Sequence, residues 1–134
     1  MKTVINFLAQ SQQQYLATVG TDKKPKVRPF QFMLEEAGKL YFCTSNKKTV
    51  FKEMQEYPNV ELCASGGNYS WLRLSGRVRF SDDLGMKAKI QEASPLVKSI
   101  YQTSDNPDFV IFYLEEAVAT ITDFSGAPPQ IVRF

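Results

Sequence analysis

The run at residues 71–80, WLRLSGRVRF, constrains the fold more than any other part of the chain. Leu72, Leu74, Val78 and Phe80 alternate on one face, with Gly76 in step, while Trp71, Arg73, Ser75, Arg77 and Arg79 alternate on the other. A period of two held over such a length is a β-strand with one buried and one polar face. The strand is long for a flat sheet and suits the bent strands that close barrels. A glycine in its middle predicts a bulge or tight bend there.

The remaining segments fit the same architecture. Residues 3–12 place Val4, Phe7 and Leu8 on one helical face. Residues 15–19 are β-prone, 21–25 form a turn, and 27–34 read as a second strand with Pro29 inside it. A proline there withdraws a ladder N–H, so the position is an edge, a bulge or a rim. Residues 35–39 read as a hairpin turn that uses Gly38, and 40–44 as a third strand. The period then switches: Val50, Phe51, Met54 and Tyr57 recur at helical spacing over 47–57, with Ser45 or Asn46 as cap and Pro58 as stop. Strand-like residues 60–64 follow. Ser81 and Asp82 cap a helix that runs to about residue 93, and Ser94-Pro95 opens another. Residues 109–114 and 117–122 are two strands, or one bent strand broken at Glu115-Glu116, and 131–134 close a sheet edge. No βαβ rhythm appears. The expectation is one domain over residues 1–134, mainly β, a β-barrel with helical insertions.

Composition limits the chemistry. The chain has no histidine and only two cysteines, Cys43 and Cys63, far apart in sequence. That excludes Ser-His-Asp and Cys-His catalysis and histidine-ligated metal or haem, and leaves too few ligands for a zinc or iron–sulfur site. The acidic pairs Glu35-Glu36, Asp82-Asp83 and Glu115-Glu116 are expected at turns or caps, where adjacent side chains diverge. A net charge of +2 is too small for an extended nucleic-acid footprint. No apolar run approaches the roughly 20 residues of a membrane span. The N-terminal apolar stretch is too short for a secretory leader. Two buried thiols and a cytoplasmic location are expected. A chain so equipped would take its reactivity from a cofactor.

Three segments are candidate binding elements. In Thr44-Ser45-Asn46-Lys47-Lys48-Thr49, two lysines open a helix whose acids, Glu53 and Glu56, lie toward its end. That polarity opposes the helix dipole, and an anion at the helix start would reverse the sign of the argument. The alternative is a solvated cationic turn. Val27-Arg28-Pro29-Phe30 offers an arginine and free backbone groups at an edge, or simply a surface arginine. Trp71 with Arg73, Arg77 and Arg79 forms a face too cationic for a core, suited to solvent, a partner or a ligand.

The landmarks Tyr15-Leu16-Ala17-Thr18-Val19-Gly20, Pro25-Lys26-Val27-Arg28-Pro29-Phe30, Leu40-Tyr41-Phe42-Cys43-Thr44-Ser45-Asn46-Lys47-Lys48-Thr49-Val50, Pro58-Asn59-Val60 and Trp71-Leu72-Arg73-Leu74-Ser75-Gly76-Arg77 occur in this order. Over residues 14–134 the chain resembles the FMN-binding split-barrel superfamily of pyridoxamine 5'-phosphate-oxidase-like proteins, most of all its small nitroimidazole-resistance-like members. The resemblance implies a six-stranded antiparallel split barrel and a homodimer with two FMN sites at the subunit interface. It implies that Arg28, Asn46, Lys47, Lys48 and Thr49 grip the FMN phosphate. Val27, Pro29, Phe30 and Thr44 would line the ribityl chain and ring. Trp71 and Arg73 would approach the flavin from the partner subunit or support the interface. The chain departs from the family pattern in having no histidine at all. A flavoprotein other than a pyridoxamine-phosphate oxidase proper is therefore expected, one that passes electrons or hydride from a nicotinamide donor to a small planar acceptor. The alternatives are a non-catalytic flavin-binding stress protein and an oligonucleotide-binding barrel.

Overall fold

The computed structural model describes residues 1–134. The chain runs α1 (Lys2–Gln10), β1 (Gln14–Val19), β2 (Pro25–Pro29), β3 (Leu34–Glu36), β4 (Lys39–Ser45), α2 (Thr49–Glu56), β5 (Asn59–Ser65), β6 (Trp71–Ser81), α3 (Leu84–Ala93), α4 (Pro95–Tyr101), β7 (Phe109–Thr122) and β8 (Gln130–Arg133). All pairings are antiparallel, in the order β2-β1-β5-β6-β7-β4-β3, with β8 added to β7. The mainly β fold with helical insertions is as expected. The six-stranded barrel is not: the sheet has eight strands, and its ladder is open between β2 and β3.

The difference arises at residues 27–34, read from sequence as a single strand. Pro29 has no N–H to continue the ladder, and β2 ends there. Residues 30–33 then cross the open side. The Phe30 N–H donates to the Gln14 carbonyl of β1 (2.9 Å), and the Met33 N–H donates to the Tyr41 carbonyl of β4 (3.0 Å). The crossing is pinned by Gln14, 2% exposed, whose Oε1 accepts from the Phe32 N–H while its Nε2 donates to the carbonyls of Leu8 and Ser11. The two sheet ends are thus joined by covalent chain and a buried amide. Ala37 and Gly38, both at positive φ, make the tight turn from β3 to β4.

The helix starts also shift from expectation. Lys48, not Ser45 or Asn46, is the N-cap residue of α2, and no side chain caps this helix. Asp83 rather than Ser81 or Asp82 caps α3, accepting from the Met86 N–H. Ser94 caps α4 as expected, with Pro95 in its first turn.

The irregularity anticipated at Gly76 is present, but the extra residue sits on the partner strand. Ser75 pairs with Val118 and Arg77 with Glu115, so β7 carries one residue more than β6 between these points. Glu116 absorbs it at φ +50°. A one-residue slip exchanges the faces of a strand. Before the bulge β7 sends Phe112 and Leu114 into the main core, and after it Ala117 and Ala119. Gly76 lets the strands meet: a Cβ there would lie 2.9 Å from the Leu114 Cβ and 3.2 Å from the Glu115 carbonyl oxygen. Gly76→Ala is expected to cost about 1–3 kcal/mol by overpacking. Urea unfolding would read this, and an unchanged midpoint would refute it.

The main core gathers Leu16, Leu62, Leu72, Leu74, Phe42 and Phe112 inside the curved sheet. Val4 and Leu8 of α1 and Val50 and Met54 of α2 pack into it. A second cluster joins Met86, Ile90 and Val97 of α3 and α4 to Tyr41, Phe109 and Ile111 on the other face of β4 and β7. α4 is thereby fixed beside the crossing at residues 30–33, and a cavity lies between them.

Candidate functional site

The cavity is an open cleft of about 410 Å³, within the range of roughly 300–1,000 Å³ typical of small-molecule sites. One wall is the start of β1 with Pro29, Phe30 and Gln31. The opposite wall is α4, through Leu96, Val97, Ile100 and Tyr101. Its floor is Cys43 and Thr44 of β4, and Lys48 stands at the start of α2. Apolar flanks with a few polar groups and one ammonium at one end suit a flat molecule carrying an anion.

Two features make that end reactive toward a ligand. Thr44 is 3% exposed, yet its Oγ1 has no hydrogen-bond partner. Buried hydroxyls are nearly always paired, so this one marks an unmet hydrogen bond beside the cavity. Lys48 holds the N-cap position with extended backbone (φ −87°, ψ 148°) and caps nothing. The Phe51 N–H donates to the Lys48 carbonyl, whereas those of Thr49 and Val50 lack intrahelical acceptors and are left to an external anion, next to a lysine. Burial pushes the Cys43 thiol up to about 12, which keeps it protonated and non-nucleophilic at neutral pH.

The structure collects only part of the residue set singled out in the sequence. Pro29, Phe30, Thr44 and Lys48 line the cavity together. Thr49 opens α2 beside Lys48 and is exposed. Lys47 points outward, 75% exposed, with Nζ 4.0 Å from Asp108 Oδ1. Asn46 braces the loop before β7: its N–H donates to the Asp108 carbonyl and its Nδ2 to the Pro107 carbonyl, and its buried Oδ1 has no partner. Arg28 turns inward, away from the cavity lining. Its Nη1 donates to Thr18 Oγ1 (2.7 Å) and the Leu16 carbonyl, and its Nη2 to Glu53 Oε1 (2.6 Å). Val27 lies on the outer face of β2, 68% exposed. Trp71 and Arg73 lie on the outer face of β6, Trp71 against Phe124 and Arg73 on Glu61.

Gln14, Glu53 and the α4 residues were not anticipated as parts of the site. Alternation marks Gln14, Leu16 and Thr18 as one inward face, which could have exposed Gln14. Spacing from Val50 puts Glu53 on the core stripe of α2. Nothing local reveals that α4 folds back over residues 30–33.

An antiparallel sheet whose edge strand ends at Pro29 and whose open side is crossed by residues 30–33, with an uncapped lysine-bearing helix at the cavity end, is the architecture of a split-barrel protein. The sequence pattern of the pyridoxamine 5'-phosphate oxidase family matches residues 2–121, and the chain belongs to that family. More particularly, it is similar to a nimC/nimA family protein from Clostridium acetobutylicum at 34% identity, over 100% of this chain and 93% of that one, with a TM-score of 0.90. The fold also resembles General Stress Protein 26 from Bacillus anthracis (18% identity, TM-score 0.77, covering 99% and 97%). A third likeness is to a pyridoxamine 5'-phosphate oxidase-related, FMN-binding protein from Nostoc punctiforme (20% identity, TM-score 0.69, covering 95% and 82%). No curated protein sequence matches it. No helix is long and apolar enough to cross a membrane.

Proposed function

We propose that the chain is an FMN-dependent oxidoreductase of the cytoplasm, working as a homodimer, that passes electrons or hydride from a nicotinamide donor to a small planar acceptor. The observation that carries the reading is a cavity of mixed apolar and polar lining that ends at an uncapped, lysine-bearing helix, beside the unpartnered, buried Thr44 hydroxyl. When bound, FMN would supply the redox chemistry that the side chains lack. Lys48, Thr49 and the N–H groups opening α2 hold the phosphate, and Lys47 adds long-range attraction. Asn46 shapes this corner through its bonds to residues 107 and 108. Thr44 bonds the polyol. Pro29 and Phe30 orient the ring on one side, and Leu96 and Ile100 shed water on the other.

The outer face of the sheet supports the dimer. Pro29, Tyr15, Cys63, Arg73, Thr120 and Ile131 form one row across β2, β1, β5, β6, β7 and β8. Val27, Tyr15, Phe124 and Ile131 expose apolar surface there, and Tyr15 and Pro29 also line the cavity. A second copy on this face would complete the cavity mouth and bring its Trp71 and Arg73 toward it.

The test is anaerobic. Purified holoprotein is expected to release FMN by mass, to be reduced by NADH or NADPH, and to be reoxidised by quinones or nitroaromatics faster than free FMN. Turnover no faster than free FMN would overturn the enzymatic part. A protein that leaves purification without flavin and does not take it up would overturn the whole.

A further inference from the structure

We propose that Glu53 is a positioning residue for the anion end of the cavity, acting through Arg28 and Thr18; this rests on the FMN reading above. Glu53 lies on the inner stripe of α2 with Val50 and Met54 and is 3% exposed. Its Oε1 accepts from Thr18 Oγ1 and from Arg28 Nη2, each at 2.6 Å, and Thr18 Oγ1 accepts in turn from Arg28 Nη1 at 2.7 Å.

Fold stability does not explain a carboxylate here. Replacing a buried ion pair by apolar side chains of similar volume is often neutral or stabilising, and the best-attested use of such pairs is to fix register. What this pair registers is clear from its ends. Arg28 sits on β2, an edge strand bonded only to β1, and the residues directly after it, Pro29 and Phe30, are one cavity wall. Glu53 sits one helical turn beyond Thr49, on the helix whose start carries Lys48. The pair is therefore a clamp between the wall that meets the ring and the helix that meets the phosphate. A directed, charge-assisted bond holds that separation in a way that apolar packing, which lacks direction, does not.

The experiment compares FMN with riboflavin, which lacks the phosphate, in wild type, Glu53→Met and Glu53→Gln. Wild type is expected to prefer FMN. Glu53→Met, which strands the Arg28 guanidinium and the Thr18 hydroxyl, is expected to lower the unfolding midpoint and to lose about tenfold or more of that preference, and Glu53→Gln, which retains an acceptor for both donors, to recover part of it. An unchanged FMN-to-riboflavin ratio in Glu53→Met would overturn the assignment. If Glu53→Met does not fold, Glu53→Gln decides by the same ratio: a reduced preference supports the clamp and an unchanged one overturns it. A wild type without preference would instead bring down the phosphate reading, and the clamp with it.

Discussion

Replacing Lys47 and Lys48 together by alanine is expected to weaken FMN binding by about 10- to 100-fold, and riboflavin binding by less than about threefold. A hydrogen bond from Lys48 to a charged group contributes about 1.5–3 kcal/mol, or roughly one to two decades of affinity, and the long-range attraction of Lys47 adds a smaller part. Riboflavin presents no phosphate and should not register the loss. The geometry divides the effect unequally. Lys48 lines the cavity, whereas Lys47 is largely in solvent near Asp108, where screening reduces its contribution. Lys48→Ala alone should account for most of the change, and Lys47→Ala should fade as salt is raised. Flavin fluorescence titration of wild type, the two single variants and the double variant with each ligand reads all eight affinities. Equal weakening of both ligands would place the phosphate elsewhere.

The residues behind that prediction were visible in the sequence because they break a local rule. Two lysines at a helix start oppose the dipole, and such an inconsistency is more informative than any agreement. The period-two run at residues 71–80 was legible for the converse reason, since Leu72, Leu74 and Val78 alternate inward in one pattern, although Phe80 at its end is 38% exposed. Pro29 signalled an edge, and the edge is there, but a missing N–H says only that pairing stops. Where the chain goes next depends on Gln14, whose buried amide receives the crossing from another element. The same holds for Arg28. As a residue type it suits phosphate, and its partner Glu53 lies 25 positions away on a helix, beyond the reach of spacing arguments. The bulge was read at Gly76 because glycine is its local mark. The extra residue is Glu116, a β-strand residue forced to positive φ by the need to keep Ala117 and Ala119 facing the core. Local pattern thus specified the elements and the unsatisfied helix start. Pairings between distant elements determined which arginine was already engaged and which helix closed the cavity.

Phe112→Ala is expected to be the most damaging core change, costing about 3–5 kcal/mol out of a total stability of roughly 5–15 kcal/mol. Phe112 is fully buried at the centre of an aromatic row that crosses three strands. It pairs directly with Phe42 of β4 and Phe80 of β6. Its ring stacks on Phe42 at 5.5 Å and meets Phe80 edge-on at 6.1 Å. It also touches Phe30 at 5.9 Å, and Phe30 is a wall of the cavity. Truncation would leave a void bounded by rings held in place by their own strands, so little collapse can refill it. The same contact links stability to binding. With Phe112 gone, Phe30 loses its backing, and flavin affinity should fall although no ligand-facing residue has changed. Excess flavin should then restore part of the loss, by about 2.7 kcal/mol at a concentration 100 times the dissociation constant. Urea unfolding with and without FMN measures both quantities. A cost below about 1 kcal/mol would mean that the row repacks, contrary to the close packing of protein interiors. A full cost with unaltered flavin affinity would separate the core from the site and remove Phe30 from the cavity wall.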